Sequence, residues 1–93
     1  NGLGQLARSA EEITAYDEVV TRFGDTDDLP LRECVAMAMV NKGDTLGQMG
    51  RFAEAITFYE EVVTRYGEDP APVLREAVTE AREGLRKSGR HSG

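Results

Sequence analysis

The clearest pattern of apolar and polar positions lies between residues 51 and 66. Polar side chains fill one helical face there. Apolar side chains recur at intervals of three and four residues on the other face, at Phe52, Ala55, Ile56, Tyr59, Val62, Val63 and Tyr66. This spacing predicts an amphipathic helix. We expect Gly67 to end that helix in the left-handed conformation.

The same pattern occurs once more, 43 residues earlier. Residues 3–41 align with residues 46–84 without a gap, and 20 of the 39 aligned pairs are identical. The alignment predicts a second amphipathic helix that is closed by Gly24. A fixed period between about 20 and 50 residues is typical of stacked repeats, in which one unit cannot bury its apolar face alone.

Two more helices are predicted from the remaining segments. One starts near Pro30, contains the apolar run 34–40 and ends near Met49, before Gly50. A buried strand would also fit that run, but its alanines and methionines favour a helix. The last helix is expected from about Pro70 to Lys87, with a frayed polar tail behind it. The first seven residues align with the end of the first of these two helices, Thr45 to Gly50, and are interpreted as the stub of an inner helix.

Composition narrows the classes of function. The chain has 93 residues and a formal net charge of −6, which disfavours nonspecific binding to nucleic acids or anionic membranes. A single cysteine excludes an internal disulfide framework and a cysteine-based zinc site. No signal peptide or long apolar run is recognised, so a cytoplasmic location is expected. The sequence indicates no metal and no cofactor.

The repeat unit resembles a tetratricopeptide repeat. The family's characteristic positions are held here by Met39, Lys42, Gly43, Leu46, Ala55, Tyr59 and Gly67. Small residues at Gly43 and Ala55 allow the two helices of a unit to approach closely. Lys42, Gly67 and the long period depart from the family pattern. HEAT and armadillo repeats have a similar period and are the alternative.

The resemblance implies an all-α fold, an α-solenoid of antiparallel helix-turn-helix repeats wound into a right-handed superhelix. One complete repeat would span residues 30–67. Residues 1–24 would be the rear half of a truncated repeat, residues 70–88 a C-terminal capping helix and residues 89–93 a tail.

The two ends of the fold are predicted to differ. Met39 and Gly43 should face the outer helix of their own repeat, and the aligned positions of the last helix are Arg82 and Arg86. Because an unpaired buried charge is costly, no helix is expected to pack there. The first segment shows no comparable charged face. We therefore interpret the chain as the C-terminal end of a longer array.

The sequence gives little support to catalysis. Cys34 aligns with Ala77, so we expect it to be a small packing residue, and no histidine lies near it in sequence. His91 lies in the polar tail, and the adjacent carboxylates Glu60 and Glu61 are interpreted as solvated surface. No phosphate-binding loop motif occurs. The chain is therefore not expected to be an enzyme.

Protein binding is the favoured function. The resemblance implies a concave groove, lined by the inner helices, that holds a peptide or helix of a partner. Carried over by position, the groove residues are Met37, Val40, Asn41, Asp44, Gln48, Glu76, Glu80, Glu83 and Lys87. Met37 and Val40 are equally compatible with the core. The acidic groove predicts a basic or mixed-charge partner bound with about micromolar affinity, about −8 kcal/mol.

Two other binding modes were considered. Some tetratricopeptide domains grip a carboxylate terminus with an asparagine and several basic residues. Asn41 occupies the asparagine position, but Glu80 and Gly84 stand where basic residues are needed. The second mode is self-association, possible as a homodimer through the apolar residues Leu3, Leu6, Ile13 and Tyr16 of the truncated end.

Overall fold

The computed structural model describes the backbone of residues 2–92 and the side chains of residues 8–89. The described chain is all-helical, as predicted, and contains no strand. Its four helices are α1 (Gly2–Phe23), α2 (Leu29–Gln48), α3 (Phe52–Tyr66) and α4 (Pro72–Ser92).

Each helix packs antiparallel to the next one along the chain. Lys42 of α2 donates a hydrogen bond to Asp17 of α1. Thr45, which comes later in α2, donates at 3.4 Å to Glu12, which comes earlier in α1. Gly43 of α2 faces Tyr59 of α3 in the same way. The second helix also packs against α4, so α2 contacts all three other helices.

Local sequence explains both ends of α2. The side chain of Asp28 accepts a hydrogen bond from the backbone of Leu31 at 3.2 Å and caps the first turn. Gly50 ends the helix with a φ of 80°. Its N–H donates to Gly47, and that of Arg51 donates to Leu46, which is a Schellman motif.

Two predicted boundaries and one predicted conformation are wrong. Residues 1–7 were expected to form a separate stub, but α1 runs without a break from Gly2 to Phe23. The position aligned with Gly50 is Ala7, and alanine disfavours the left-handed turn that ends α2. The expected tail, residues 89–93, is helical as far as Ser92. Gly67 follows α3 in the right-handed conformation, with a φ of −59°.

The start of α4 is fixed by Asp69. Its carboxylate accepts the backbone N–H of Ala71 at 3.0 Å and pairs with Arg32 of α2 at 2.6 Å. The hydrogen bond from Ala71 and the nearby guanidinium hold the pKa of Asp69 below its usual value. Arg32 also lies 5.8 Å from the centre of the Tyr66 ring. The turn between α3 and α4 is thereby tied to α2, and the helix begins at Pro72 instead of Pro70.

The core lies where α2, α3 and α4 meet. Its buried members are Val35, Ala36, Met39, Val40, Leu46, Ala55, Tyr59, Val62, Tyr66, Leu74, Ala77, Val78 and Ala81. Among its described side chains, α1 contributes only partly buried residues, including Ile13 and Phe23. Ile13 and Tyr16, expected to be exposed for self-association, are half-buried, and Leu3 and Leu6 lie outside the described side chains.

Two pairs of aligned residues on α2 and α4 differ in exposure. Met39 is buried in the core, whereas the aligned Arg82 is exposed, as the charge pattern predicts. Cys34 is exposed, whereas the aligned Ala77 is buried. The prediction that Cys34 is a packing residue is therefore wrong. Ala77 belongs to the core, and its helix α4 packs against both α2 and α3, whereas Cys34 is not among the core residues.

None of the helices described for residues 2–92 combines the length and apolar character needed to cross a bilayer.

Candidate interaction cleft

The candidate site is built around Tyr59, whose ring lies between two glycines of neighbouring helices. A Cβ atom added to Gly43 of α2 would lie 2.7 Å from Tyr59 Cε1. A Cβ atom added to Gly84 of α4 would lie 2.3 Å from Tyr59 Cζ. Both distances are shorter than any normal contact. The absence of side chains at these glycines therefore allows α2 and α4 to close on the ring of α3.

The hydroxyl of Tyr59 points to the mouth of the cleft. It donates a hydrogen bond to the carboxylate of Asp44, which is exposed on α2. Burial raises the pKa of Tyr59 above its ordinary value, and the hydrogen bond to Asp44 and its negative charge raise it further. The phenol thus remains a donor at neutral pH and holds Asp44 in a fixed orientation.

A cleft of about 580 Å³ opens between α2 and α4 above this ring. Its lining comes from α2 (Asp44, Gly47, Gln48), α3 (Phe52, Tyr59) and α4 (Thr79, Glu80, Glu83, Gly84, Lys87, Ser88). The aromatic side chains supply an apolar wall, and charged groups surround it. An open cleft of this volume is large enough for side chains of a bound peptide or helix.

The charge of the cleft is mainly negative. It contains three carboxylates, of Asp44, Glu80 and Glu83, and one ammonium group, of Lys87. Glu83 is held by a bidentate contact with Arg86, with both oxygens at 2.8 Å. Glu80 forms no ion pair with the side chains described. Asp44 and Glu80 are thus the carboxylates best placed to receive a cation.

The cleft collects five of the nine residues predicted for the groove, Asp44, Gln48, Glu80, Glu83 and Lys87. Glu76 is exposed one turn before Glu80 but does not line the cleft, and Met37 and Asn41 are half-buried on α2 outside it. Val40 is 0% exposed and belongs to the core, so it is not available to a partner.

Sequence reasoning missed the aromatic wall. Phe52 and Tyr59 were assigned to the apolar face of α3, which is correct for most of each side chain, but both also line the cleft. One signal for this was present. Two glycines, Gly43 and Gly84, lie in neighbouring helices at positions that are not aligned by the repeat, which indicates one large side chain packed between them.

Nothing in the described residues forms a group of three or more histidine, cysteine or acidic side chains able to hold a metal ion. The side chain of His91 lies outside the described residues. No family model, no curated protein and no solved structure matches this chain.

Proposed function

We propose that the chain is a non-catalytic protein–protein interaction module, a unit of a scaffold or adaptor, that binds a peptide or helix of a partner between α2 and α4. The cleft of about 580 Å³ carries this proposal, because it joins a concave shape to an aromatic wall and oriented carboxylates. Interfaces typically combine an aromatic centre with a polar rim in this way.

The architecture proposed for this function is a tetratricopeptide-like α-solenoid with a right-handed twist. Helices α2 and α4 pack side by side, and α3 packs against both of them. Two inner helices and one outer helix of a solenoid would pack in this way, which supports the proposal. The contact of Gly43 with Tyr59 and the burial of Ala55 support it further, because the family resemblance rests on these residues.

The proposed ligand is a basic or mixed-charge segment with apolar residues. Lysine or arginine side chains would lie against Asp44 and Glu80, and apolar side chains would contact Phe52. An acidic or carboxylate-terminated segment would be repelled by the same carboxylates. Asn41, the residue that suggested a carboxylate clamp, lies outside the cleft. The expected affinity is about micromolar, about −8 kcal/mol.

A charge-reversal experiment tests the proposal. The probes are a labelled peptide that alternates lysine with leucine and its counterpart with glutamate in place of lysine. Fluorescence anisotropy should show binding of the first peptide only, and Glu80→Lys should weaken it by about tenfold. The matched control is Glu60→Lys, which makes the same charge change on the exposed part of α3 outside the cleft. Equal loss with both variants, or tighter binding of the acidic peptide, would contradict the proposal.

A further inference from the structure

Two helix faces lack the neighbour that their repeat equivalents have. Helix α3 packs between α2 and α4, whereas its equivalent α1 packs, among the described helices, against α2 alone. Helix α2 packs against α3 on one side. Helix α4 is the repeat equivalent of α2, and its corresponding side has no described helix beside it. The helix missing beside α4 is thus of the type of α1. The helix missing beside α1 is of the type of α4.

We propose that two copies of this chain associate head to tail, with α4 of one copy packed against α1 of the next as α2 packs against α3 within one chain. The proposal concerns the ends of the fold and does not depend on the function of the cleft.

A second open cleft, separate from the one between α2 and α4, lies at the end of α3 and supports this arrangement. It measures about 560 Å³ and is lined by residues that include Gly67, Glu68 and Arg82. The equivalent place one repeat earlier lies beside Gly24. There the side chain of Arg65 donates a hydrogen bond to the carbonyl oxygen of Gly24 at 3.4 Å. Arg65 is equivalent to Arg22. In the proposed assembly, Arg22 of the second copy enters this second cleft. It donates a hydrogen bond to the Gly67 carbonyl and lies beside the Glu68 carboxylate.

Two other contacts within one chain would have chemically compatible equivalents across the proposed interface between copies. Arg32 lies over the ring of Tyr66, and the equivalent pair is Arg75 with Phe23 of the second copy, again a cation and an aromatic ring. The Tyr59 hydroxyl bonds Asp44, and the equivalent pair is Tyr16 of the second copy with Lys87. A tyrosine hydroxyl can accept a hydrogen bond from an ammonium group as well as donate one to a carboxylate.

The charges of the two ends are complementary. Residues 1–28 carry seven carboxylates and two arginines, whereas residues 72–92 carry five basic and three acidic side chains. The arginines of α4 were predicted to exclude a packed helix because their charge would be buried without a partner. Helix α1 offers aromatic rings and carboxylates, so that objection does not apply to it. Arg86 replaces Gly43 in this pair, and α1 must therefore lie further from α4 than α3 does from α2.

The geometry makes the contact heterologous, because each copy uses two different surfaces. Contacts of this kind build open chains unless the rotation between copies closes a ring. Growth beyond the dimer therefore distinguishes this arrangement from an ordinary two-fold dimer.

Sedimentation equilibrium of the full chain from micromolar to millimolar concentration provides the test. The average mass should rise above the 10.2 kDa of one chain, pass the value for a dimer and fall again at high salt, because the exposed charges are screened. A mass that stays at 10.2 kDa across the range would overturn the proposal.

Two one-sided variants locate the surfaces. Arg75→Glu with Arg82→Glu blocks the α4 face, and Arg22→Glu blocks the α1 face. None of these three arginines forms an ion pair within the described part of the chain, so the fold should persist, as circular dichroism would verify. Each variant alone should associate about tenfold or more weakly. Their mixture should form a dimer and grow no further, because one intact face of each kind remains.

Arg51→Glu, at the exposed residue before α3, is the charge-reversal control outside both surfaces; it removes a surface ion pair with Glu54 and should associate as the wild type does. Variants that associate as strongly as the wild type would place the contact elsewhere and overturn the proposal. A mixture that stays monomeric would do the same.

Discussion

The phenol of Tyr59 donates a hydrogen bond to the carboxylate of Asp44, and this contact joins the core to the rim of the cleft. The Tyr59 ring is buried among α2, α3 and α4, whereas Asp44 is exposed. Changes in core packing at this tyrosine should therefore alter the binding surface as well.

Gly84→Ala tests the fit of α4 against the Tyr59 ring. The added Cβ would lie 2.3 Å from Cζ, so α4 must move away, at a cost of about 1–3 kcal/mol in the free energy of unfolding. Gly47→Ala is the control, since a Cβ there meets nothing within 4 Å and should stabilise the helix by up to about 1 kcal/mol. Urea unfolding of both variants measures the difference. Equal effects would show that the ring does not hold α4 closely.

Gly50→Ala tests the end of α2. Its φ of 80° lies in the left-handed region, where a Cβ atom costs about 1–2 kcal/mol. Thermal unfolding followed by circular dichroism should show that loss. A steric clash would not explain that loss, because a Cβ atom at this position meets no atom within 4 Å. An unchanged midpoint would indicate that α2 ends in another conformation.

Stability should fall at alkaline pH because the pKa of Tyr59 is raised by burial and by Asp44. The folded chain retains the phenol proton more strongly than the unfolded chain does. The stabilising contribution is therefore complete below the ordinary pKa of 10.0 and is lost as the pH rises above it. Absorbance at alkaline pH should show one of the three tyrosines ionising last, and Tyr59→Phe should remove that component. Three tyrosines that ionise together would contradict the contact.

Stability should also fall at acid pH through Asp69. The N–H of Ala71, together with Arg32, holds the pKa of Asp69 below 3.8. Its stabilising contribution is therefore present above that value and is lost as the pH falls through the lower pKa of the folded chain. Asp69→Asn should make the urea midpoint less sensitive to acid. Asp25→Asn, at an exposed carboxylate, is the control and should leave that sensitivity unchanged.

The number of helices and most of the core follow from sequence because both depend on local spacing. The apolar intervals of α3 predicted its buried residues, and Gly50 ends α2 as predicted. The unbroken α1 shows the limit of an argument by alignment. Gly50 and Ala7 are aligned by the repeat, yet Gly50 ends a helix and Ala7 lies inside one, because glycine is exchanged for alanine.

The cleft was only partly predictable because it depends on which neighbours are present. The alignment treats Cys34 and Ala77 as equivalent, but only Ala77 is buried in the core. Val40 was placed in the groove by its repeat position, yet it is buried where α2, α3 and α4 meet. The aromatic wall requires knowledge of how closely α2 and α4 approach, which no local pattern contains.

The most direct test of the central claim is a titration of ¹⁵N-labelled chain with the lysine–leucine peptide, followed by amide chemical shifts. The account predicts that the largest changes occur at the cleft residues, including Gln48, Phe52 and Glu80, while the exposed part of α3 near Glu60 changes little. Saturation at about micromolar concentration with that pattern would support a binding module between α2 and α4. Changes spread evenly over the acidic surface, or concentrated away from the cleft, would contradict it.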